Sequence, residues 1–551
     1  MPVITIDKKY LFRLLGSGTD EKMLKEHAAK LGFEIESTSD KELLLEVTPN
    51  RLDLLDAVGL ARAIKNFTHR SSSFNYSIAK ETEPAFTITV HPSVKRVFPF
   101  IAGVVAEGLD LGEAELLDLI NFAEKFCGTY GRNRRKIAIG MHNIDAMKPP
   151  LTYRCGSDGK FVHLGSTEAR LYSEILDSTK QGEAYSGIVR RGKVCHYPEL
   201  MDSEGTIAFI PIINSERTKI TVNTKNMFVD ITGTSEYAVN KSADLMAAIF
   251  MDMGGRVRRV KVDYGAHQVY TPELQERYIS VPLRRMESEI GVQIGFNNVI
   301  SLANKMGYEA ALVGRNIRFR VPEYRLDVIG EQDIVEDIAI GYGYDYIRPI
   351  PIAYTQQGGL EEQTSFARKV GEAMVGLGFS ELANSYLTNE DINFDRPGLQ
   401  RDESAVMLKN PKTEAISMLR TWLLPSILKD LGMSTHDKLP QSAYEIDMVF
   451  RLKEGMPSES YSLGGATIDP KRNFNDVKAE IGGLMGALGI AHSVSHYRHP
   501  SFIEGRCAEI KVGDVHAGFF GELHPKVLKE FGIEEPGTAF EMELEKLQKA
   551  R

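Results

Sequence analysis

The stretch VPEYRLDVIGEQDIVEDIAIGYGYDYI, residues 321–347, places Asp327, Glu331, Asp333, Glu336 and Asp337 within eleven positions, three of them where an amphipathic helix should start. With a helix beginning near Glu331–Asp333, the side chains of Asp333, Glu336 and Asp337 are spaced i, i+3, i+4 and share one face. Asp327 approaches that face from the end of the preceding strand. Acids in a first helical turn gain about 0.3–1 kcal/mol each from the helix dipole, whereas like charges at this spacing cost a few tenths. The cluster has two readings. One is a charged cap on a solvated face. The other is a hard cation: oxygen donors without nitrogen or sulfur ligands suit Mg²⁺, with waters completing the octahedron.

The rest of the chain is consistent with several domains, since 551 residues exceed one hydrophobic core. Residues 1–85 read as a small α/β module, with Asp20 as an N-cap and Gly32 as a stop for the helix between them. The polar SSSFNYS, 71–77, reads as a linker. Residues 86–265 are mixed, with strands in AFTITVH, PFIAGVVAEGL, GTIAFIPII and MFVDITGT. Helices are expected over 112–127, 166–176 and 235–255. Residues 270–348 form a third unit that ends in the acidic helix, and the Pro- and Gly-rich 348–359 is a connector. Over 360–551, long helices alternate with strands that follow one another as meanders. That pattern predicts α+β with an antiparallel sheet.

Composition excludes some classes. No apolar run reaches the ~18 residues of a membrane span, and MPVITIDKKY has no signal-peptide pattern. Cys127, Cys155, Cys195 and Cys507 are scattered, which argues against a disulfide framework or structural zinc and for a reducing cytosol. A net charge of −9 does not suggest nucleic-acid binding, although local basic patches survive the average. GRNRRK, 131–136, is one such patch: Arg132, Arg134, Arg135 and Lys136 are a solvated loop or a contact for RNA phosphates. GGRVRRVKV, 254–262, is a second.

VTPNRLDLLDAVGLARAI (47–64) echoes VPEYRLDVIGEQDIVEDIAI (321–340): a strand, a proline, R-L-D, then a helix. Together with KNPKTEAISMLRTWLLPSIL (409–428) and FFGELHPKVLKEFGI (519–533), in this order, these segments resemble the β subunit of phenylalanyl-tRNA synthetase essentially end to end. The resemblance implies Mg²⁺ at Asp327, Asp333, Glu336 and Asp337, near a subunit interface. It also implies an α2β2 heterotetramer in the cytoplasm, tRNA(Phe) as a partner, and phenylalanine and ATP handled by the α subunit. The absence of an N-terminal OB-type tRNA-binding module and a C-terminal anticodon-binding domain points to the shorter archaeal or eukaryotic-cytosolic type. The expected architecture is α+β and multidomain: an N-terminal α/β module, a mixed editing domain over 86–265, an acidic metal-binding module over 270–348, and a class II synthetase-like antiparallel core over 360–551.

That core lacks catalytic motifs. Phosphate charge must be met by fixed arginines, carboxylates or metal. Arg420 has no carboxylate following at the expected place, and GGLMGALGI sits in a helical pattern. A pseudo-catalytic scaffold is expected, with 361–379 and 421–431 docking the α subunit. The resemblance implies that residues 86–265 hydrolyse mischarged Tyr-tRNA(Phe), and a second site is physically motivated because an apolar pocket rejects an extra hydroxyl by only ~10²-fold. Candidates are Ser215, Asp230, Thr232 and Thr234, with Asp230 and Thr232 on one face of a strand. His142 reads as a structural histidine or a second wall. The alternatives are a scaffold without editing and a self-sufficient class II synthetase.

Overall fold

Capping chemistry sets the helix starts. Asp20 Oδ1 accepts the Met23 N–H at 2.8 Å and opens Glu21–Lys30, and Gly32, at φ +85°, lets the chain turn away after it. Ser235 caps Glu236–Asp252 in the same way through the Ala238 N–H. The computed structural model describes every residue except 1, 17–18, 69–75, 79–82, 192–193, 353–356, 435 and 551. Part of the 71–77 stretch and of the 348–359 connector therefore lies outside the described residues. The chain forms two compact units, 1–351 and 352–551, of mixed α+β architecture.

Among the described residues the first unit holds three sheets of three or more strands. Val3–Asp7, Glu42–Glu46 and Glu34–Thr38 form a small antiparallel one, and Arg277–Pro282, Asn316–Val321 and Glu309–Val313 form another. Between them in sequence lies a ten-stranded sheet in which Met227–Gly233 runs antiparallel between Phe100–Glu107 and Ile137–Asn143. One face of these strands packs on Glu236–Asp252 through Ile231, Val229 and Ala102. The other face belongs to a second core with Phe228, Ile101 and Phe209.

The helix expected over 166–176 begins only at Tyr172. Arg170–Leu171 instead pair with Lys160–Phe161 as a short strand. The Tyr172 hydroxyl is drawn inward to the Glu199 carboxylate, so tertiary bonding overrides the helical pattern there.

The second unit is built on a seven-stranded sheet, antiparallel apart from Ser380–Glu381, which pairs parallel with Gln441–Lys453. Its helices Glu362–Gly376 and Phe474–Leu488 cover one core, and Leu424–Met433 lies in another. Thr421 to Leu428 are buried within this unit, and the Trp422 indole N–H donates to the Asn393 carbonyl at 3.0 Å. These residues are core, which removes most of 421–431 as the docking surface expected from its apolar character.

Candidate functional site

The strand Met227–Gly233 places Asp230 directly opposite Gly103 on one side and Gly140 on the other, and Thr232 opposite Ile101 and Ala138. Gly140 is what makes room for the acid. A Cβ there would sit 2.1 Å from Asp230 Oδ2, so only glycine lets the carboxylate lie over the neighbouring strand. Oδ2 then meets His142 Nε2 at 3.0 Å, and His142 Nδ1 lies 2.8 Å from Thr218 Oγ1. A carboxylate only accepts, so the ring hydrogen is assigned to Nε2, and Nδ1 accepts from the threonine hydroxyl. Among the described residues, Asp230 Oδ1 has no protein partner.

Asp230 and Thr232 line a cavity of about 450 Å³ whose walls are largely apolar, from Ile120, Ile139, Met141, Ile210, Ile212 and Ile213. Thr232 is fully buried, and its hydroxyl has no hydrogen-bond partner among the described residues. An unpaired polar atom beside a cavity is costly unless something from the cavity meets it. Cys127 also lines the wall, but burial pushes its thiol up to about 11, so it stays protonated and is no nucleophile.

Ser215 borders the cavity with its hydroxyl already engaged, donating to the Val162 carbonyl at 3.2 Å and accepting the Arg217 N–H. Thr234 is exposed beyond the end of the strand and does not line the cavity, in contrast to the expectation that grouped it with Asp230 and Thr232.

The basic loop 131–136 divides in two. Arg132, Asn133 and Arg134 all have left-handed backbone angles, φ 52°, 53° and 60°. Such a run is strained for side-chain-bearing residues. It delivers Arg134 inward, where Nη1 donates to the carbonyls of Pro211 and Ile212 at 2.9 and 3.1 Å and the guanidinium lies over the Tyr185 ring. Lys136 lies over Tyr130. Arg134 and Lys136 are therefore wall and loop anchors, and only Arg132 and Arg135 stand exposed. In the second patch, Arg258 pairs with Glu107 at 3.0 Å.

The acidic segment forms its helix, Glu331–Tyr342, where the spacing places it. What meets the charge is Arg325. Its Nε and Nη2 bind both oxygens of Asp327 at 2.9 and 2.7 Å, and Nη2 also binds Asp337 Oδ2 at 2.6 Å. The Tyr308 hydroxyl donates to the same Asp337 oxygen. Asp333 Oδ2 caps the helix by accepting the N–H groups of Ile329 and Gly330 at 2.6 and 2.8 Å. Glu336 is exposed, and Glu331 pairs with Arg285. Among the described residues no three His, Cys, Asp or Glu side chains gather as a metal cage. The four acids expected to converge on a cation do not converge within this chain, because a guanidinium occupies the space between two of them. Among the described residues, the oxygens left without a protein partner are Asp333 Oδ1, Asp337 Oδ1 and both of Glu336.

The echo has a structural counterpart. Arg51 Nε and Nη2 bind Asp53 Oδ1 and Oδ2 at 2.9 Å each, the same bidentate arrangement as Arg325 with Asp327. Burial would raise the Asp53 carboxyl, but the Arg51 guanidinium outweighs it and holds it below its ordinary value.

In the second unit, Arg420 is almost fully buried. Its Nη1 binds Glu445 at 2.6 Å and its Nε donates to the Met448 carbonyl at 3.0 Å. Its Nη2 lies 3.2 Å from Asp447 Oδ2, an ion pair without hydrogen-bond alignment. Glu541 borders a cavity of about 820 Å³, but both its oxygens accept the backbone N–H groups of Leu423 and Leu424. Arg420 and Glu541 are thus committed to holding the fold.

Sequence reasoning missed Gly140, Thr218 and the isoleucine walls. Thr218 and Asp230 lie twelve positions apart in the chain, and only the sheet brings both to His142.

Comparison with known proteins locates the chain. The model of the phenylalanyl tRNA synthetase beta chain CLM domain matches residues 348–544, and that of the tRNA synthetase B5 domain matches residues 279–344. The phenylalanine–tRNA ligase beta subunit of Natronomonas pharaonis is 32% identical, covering 99% of this chain and 100% of that protein. The one from Archaeoglobus fulgidus is 33% identical, covering 99% and 98%. A crystal structure of an N-terminal fragment of the phenylalanyl-tRNA synthetase beta subunit from Pyrococcus horikoshii matches with a TM-score of 0.59 and 31% identity, covering 62% of this chain and all of that fragment.

Proposed function

Because this chain belongs to the β-subunit family of phenylalanine–tRNA ligase, and is thereby a subunit of an enzyme that joins an amino acid to tRNA, we propose that the cavity at Asp230 and Thr232 hydrolyses tRNA(Phe) mischarged with tyrosine. The observation that supports this reading is Asp230 itself, a carboxylate with one unengaged oxygen at the edge of a largely apolar cavity. A tyrosine ring suits the apolar walls, and its phenol donates to Asp230 Oδ1. Phenylalanine offers no such donor and would leave a buried carboxylate unmet. Sites built around a substrate hydroxyl reject the analogue lacking it by about 10⁴–10⁵-fold. Correctly charged tRNA is spared on that ground.

Hydrolysis needs only a placed water. Placed in the cavity between Asp230 and the ester, the water attacks the ester carbonyl carbon and the bond to the ribose oxygen breaks. That oxygen takes up the proton the water loses, releasing tyrosine and tRNA. Arg132 and Arg135 are the exposed cations of the loop beside the cavity and meet acceptor-end phosphates. Phenylalanine activation with ATP falls to the α subunit, in an α2β2 assembly in the cytoplasm. The burial of Arg420 and the engagement of Glu541 favour this division of labour. Ile329, Tyr344, Tyr346 and Ile350 stand exposed around the acidic helix and suit partner docking.

The same helix suits Mg²⁺ as an open donor set. This ion keeps several waters and often takes only one or two carboxylates from a protein. One or two of the unengaged oxygens of Asp333, Glu336 and Asp337 would hold it with waters completing its shell, and it would offset charge that one arginine leaves unbalanced among four acids. Its binding is read by a rise in melting temperature of the assembled complex with Mg²⁺ that Glu336→Gln abolishes. Editing is tested by deacylation of Tyr-tRNA(Phe) with the co-expressed α and β chains. Asp230→Ala should lower kcat/KM at least 100-fold. Equal rates in variant and wild type would refute the assignment.

A further inference from the structure

Asp230 stands between Gly103 and Gly140, neither of which provides a side-chain wall. The carboxylate leans over Gly140, where no side chain holds it, and reading one phenol against none demands a fixed oxygen. Among the described residues, its one directional contact is the His142 ring N–H, at 3.0 Å. His142 is fully buried, does not line the cavity, and so does not touch whatever occupies it. It is held in turn: its Nδ1 meets the Thr218 hydroxyl at 2.8 Å, and the Thr218 carbonyl accepts the Asn143 N–H at 2.9 Å. Thr218 is also fully buried, with no other side-chain hydrogen bond among the described residues.

We infer that His142, anchored by Thr218, is a positioning residue for substrate discrimination, holding Asp230 Oδ1 toward the cavity as an acceptor that only an aminoacyl group bearing a hydroxyl can satisfy. This role rests on the editing reading of the cavity. The chain of bonds has a direction. The carboxylate requires the ring hydrogen on Nε2, which donates to Oδ2, and the threonine hydroxyl then donates to the lone pair left on Nδ1. The carboxylate is thereby pinned through one oxygen and presents the other. Without the donor, nothing directional holds Asp230 over Gly140, and the cavity loses the feature that separates a phenol from a phenyl ring.

The test uses the full β chain co-expressed with its α subunit, with Tyr-tRNA(Phe) and Phe-tRNA(Phe) deacylation measured for three variants. His142→Phe keeps an aromatic ring, somewhat larger than imidazole, and removes the donor. His142→Gln restores an N–H near the Nε2 position. Thr218→Val removes only the anchor. For His142→Phe we expect the KM for Tyr-tRNA(Phe) to rise about 10- to 100-fold with kcat little changed, as for loss of a hydrogen bond to a charged group. The preference for Tyr- over Phe-tRNA(Phe) should fall by the same factor. His142→Gln should stay within about threefold of wild type, and Thr218→Val should fall between. Wild-type KM in His142→Phe, or a Gln variant as impaired as the Phe variant, overturns the inference while leaving the editing reading intact. Should His142→Phe not fold, as judged by melting, a Thr218→Val variant with wild-type KM overturns it instead. A wild-type complex that hydrolyses neither ester overturns both readings together.

Discussion

Gly140→Ala adds one methyl group and removes nothing. Gly140 has no left-handed backbone angle, so alanine is tolerated by the main chain. The new Cβ would lie 2.1 Å from Asp230 Oδ2, 3.0 Å from its Cγ and 3.3 Å from Asn214 Oδ1. To restore an ordinary contact of 3.4 Å the oxygen must retreat by about 1.3 Å, from 2.1 to 3.4 Å. The bond from His142, at 3.0 Å, does not survive such a shift. Misplacement by about 1 Å typically costs about 10²-fold in rate, and overpacking costs about 1–3 kcal/mol in stability. The expected result is a loss of Tyr-tRNA(Phe) deacylation of about 100-fold with a melting temperature lowered by a few degrees. Gly187→Ala is the control: that glycine sits on an exposed helix, and a Cβ there meets nothing within 4 Å. Deacylation by Gly140→Ala at the wild-type rate would refute the claim that the position of Asp230 controls the site.

Arg325→Met should destabilise the first unit by about 3–5 kcal/mol, because it leaves Asp327 and Asp337 buried without their cation. Adding Asp327→Asn and Asp337→Asn should recover most of the loss in thermal melting. Burial raises the Glu541 carboxyl to about 7. A folded-state value above the unfolded one means the native state keeps a proton that the unfolded chain releases, so this group's contribution to stability is fully present below about pH 4.5 and is lost as pH rises through 7. The loss amounts to about 3 kcal/mol and should vanish in Glu541→Gln. Trp422, the only tryptophan, precedes the Leu423 N–H that Glu541 binds, so its fluorescence in urea reports this unit. Arg134→Ala releases the Pro211 and Ile212 carbonyls that form the cavity wall, and should raise the KM for Tyr-tRNA(Phe) about 5- to 30-fold.

The acidic cluster illustrates why part of the site was hidden in the sequence. Its helix, the shared face and the N-terminal placement of the acids come from spacing. The role of Arg325 does not, although it stands two residues before Asp327, because its reach to Asp337 depends on where the helix docks. GRNRRK illustrates the converse. Its charge is legible, but a left-handed backbone run sends Arg134 into the wall of the cavity and leaves Arg132 and Arg135 outside.

The sequence by itself determined the family, the α+β class, the antiparallel C-terminal sheet and the strand that alternates Asp230 with Thr232, because local periodicity, capping residues and ordered motifs are properties of neighbours in the chain. Tertiary structure alone decided that Asp230 is flanked by two glycines and held by His142, that Thr218 backs the histidine, that Thr234 falls outside the cavity, and that Arg420 and Glu541 serve the fold. These are pairings across strands and between segments more than 100 positions apart, as for Leu423 and Glu541 at 118. Their register is fixed by burial of whole faces, which no short stretch of sequence encodes.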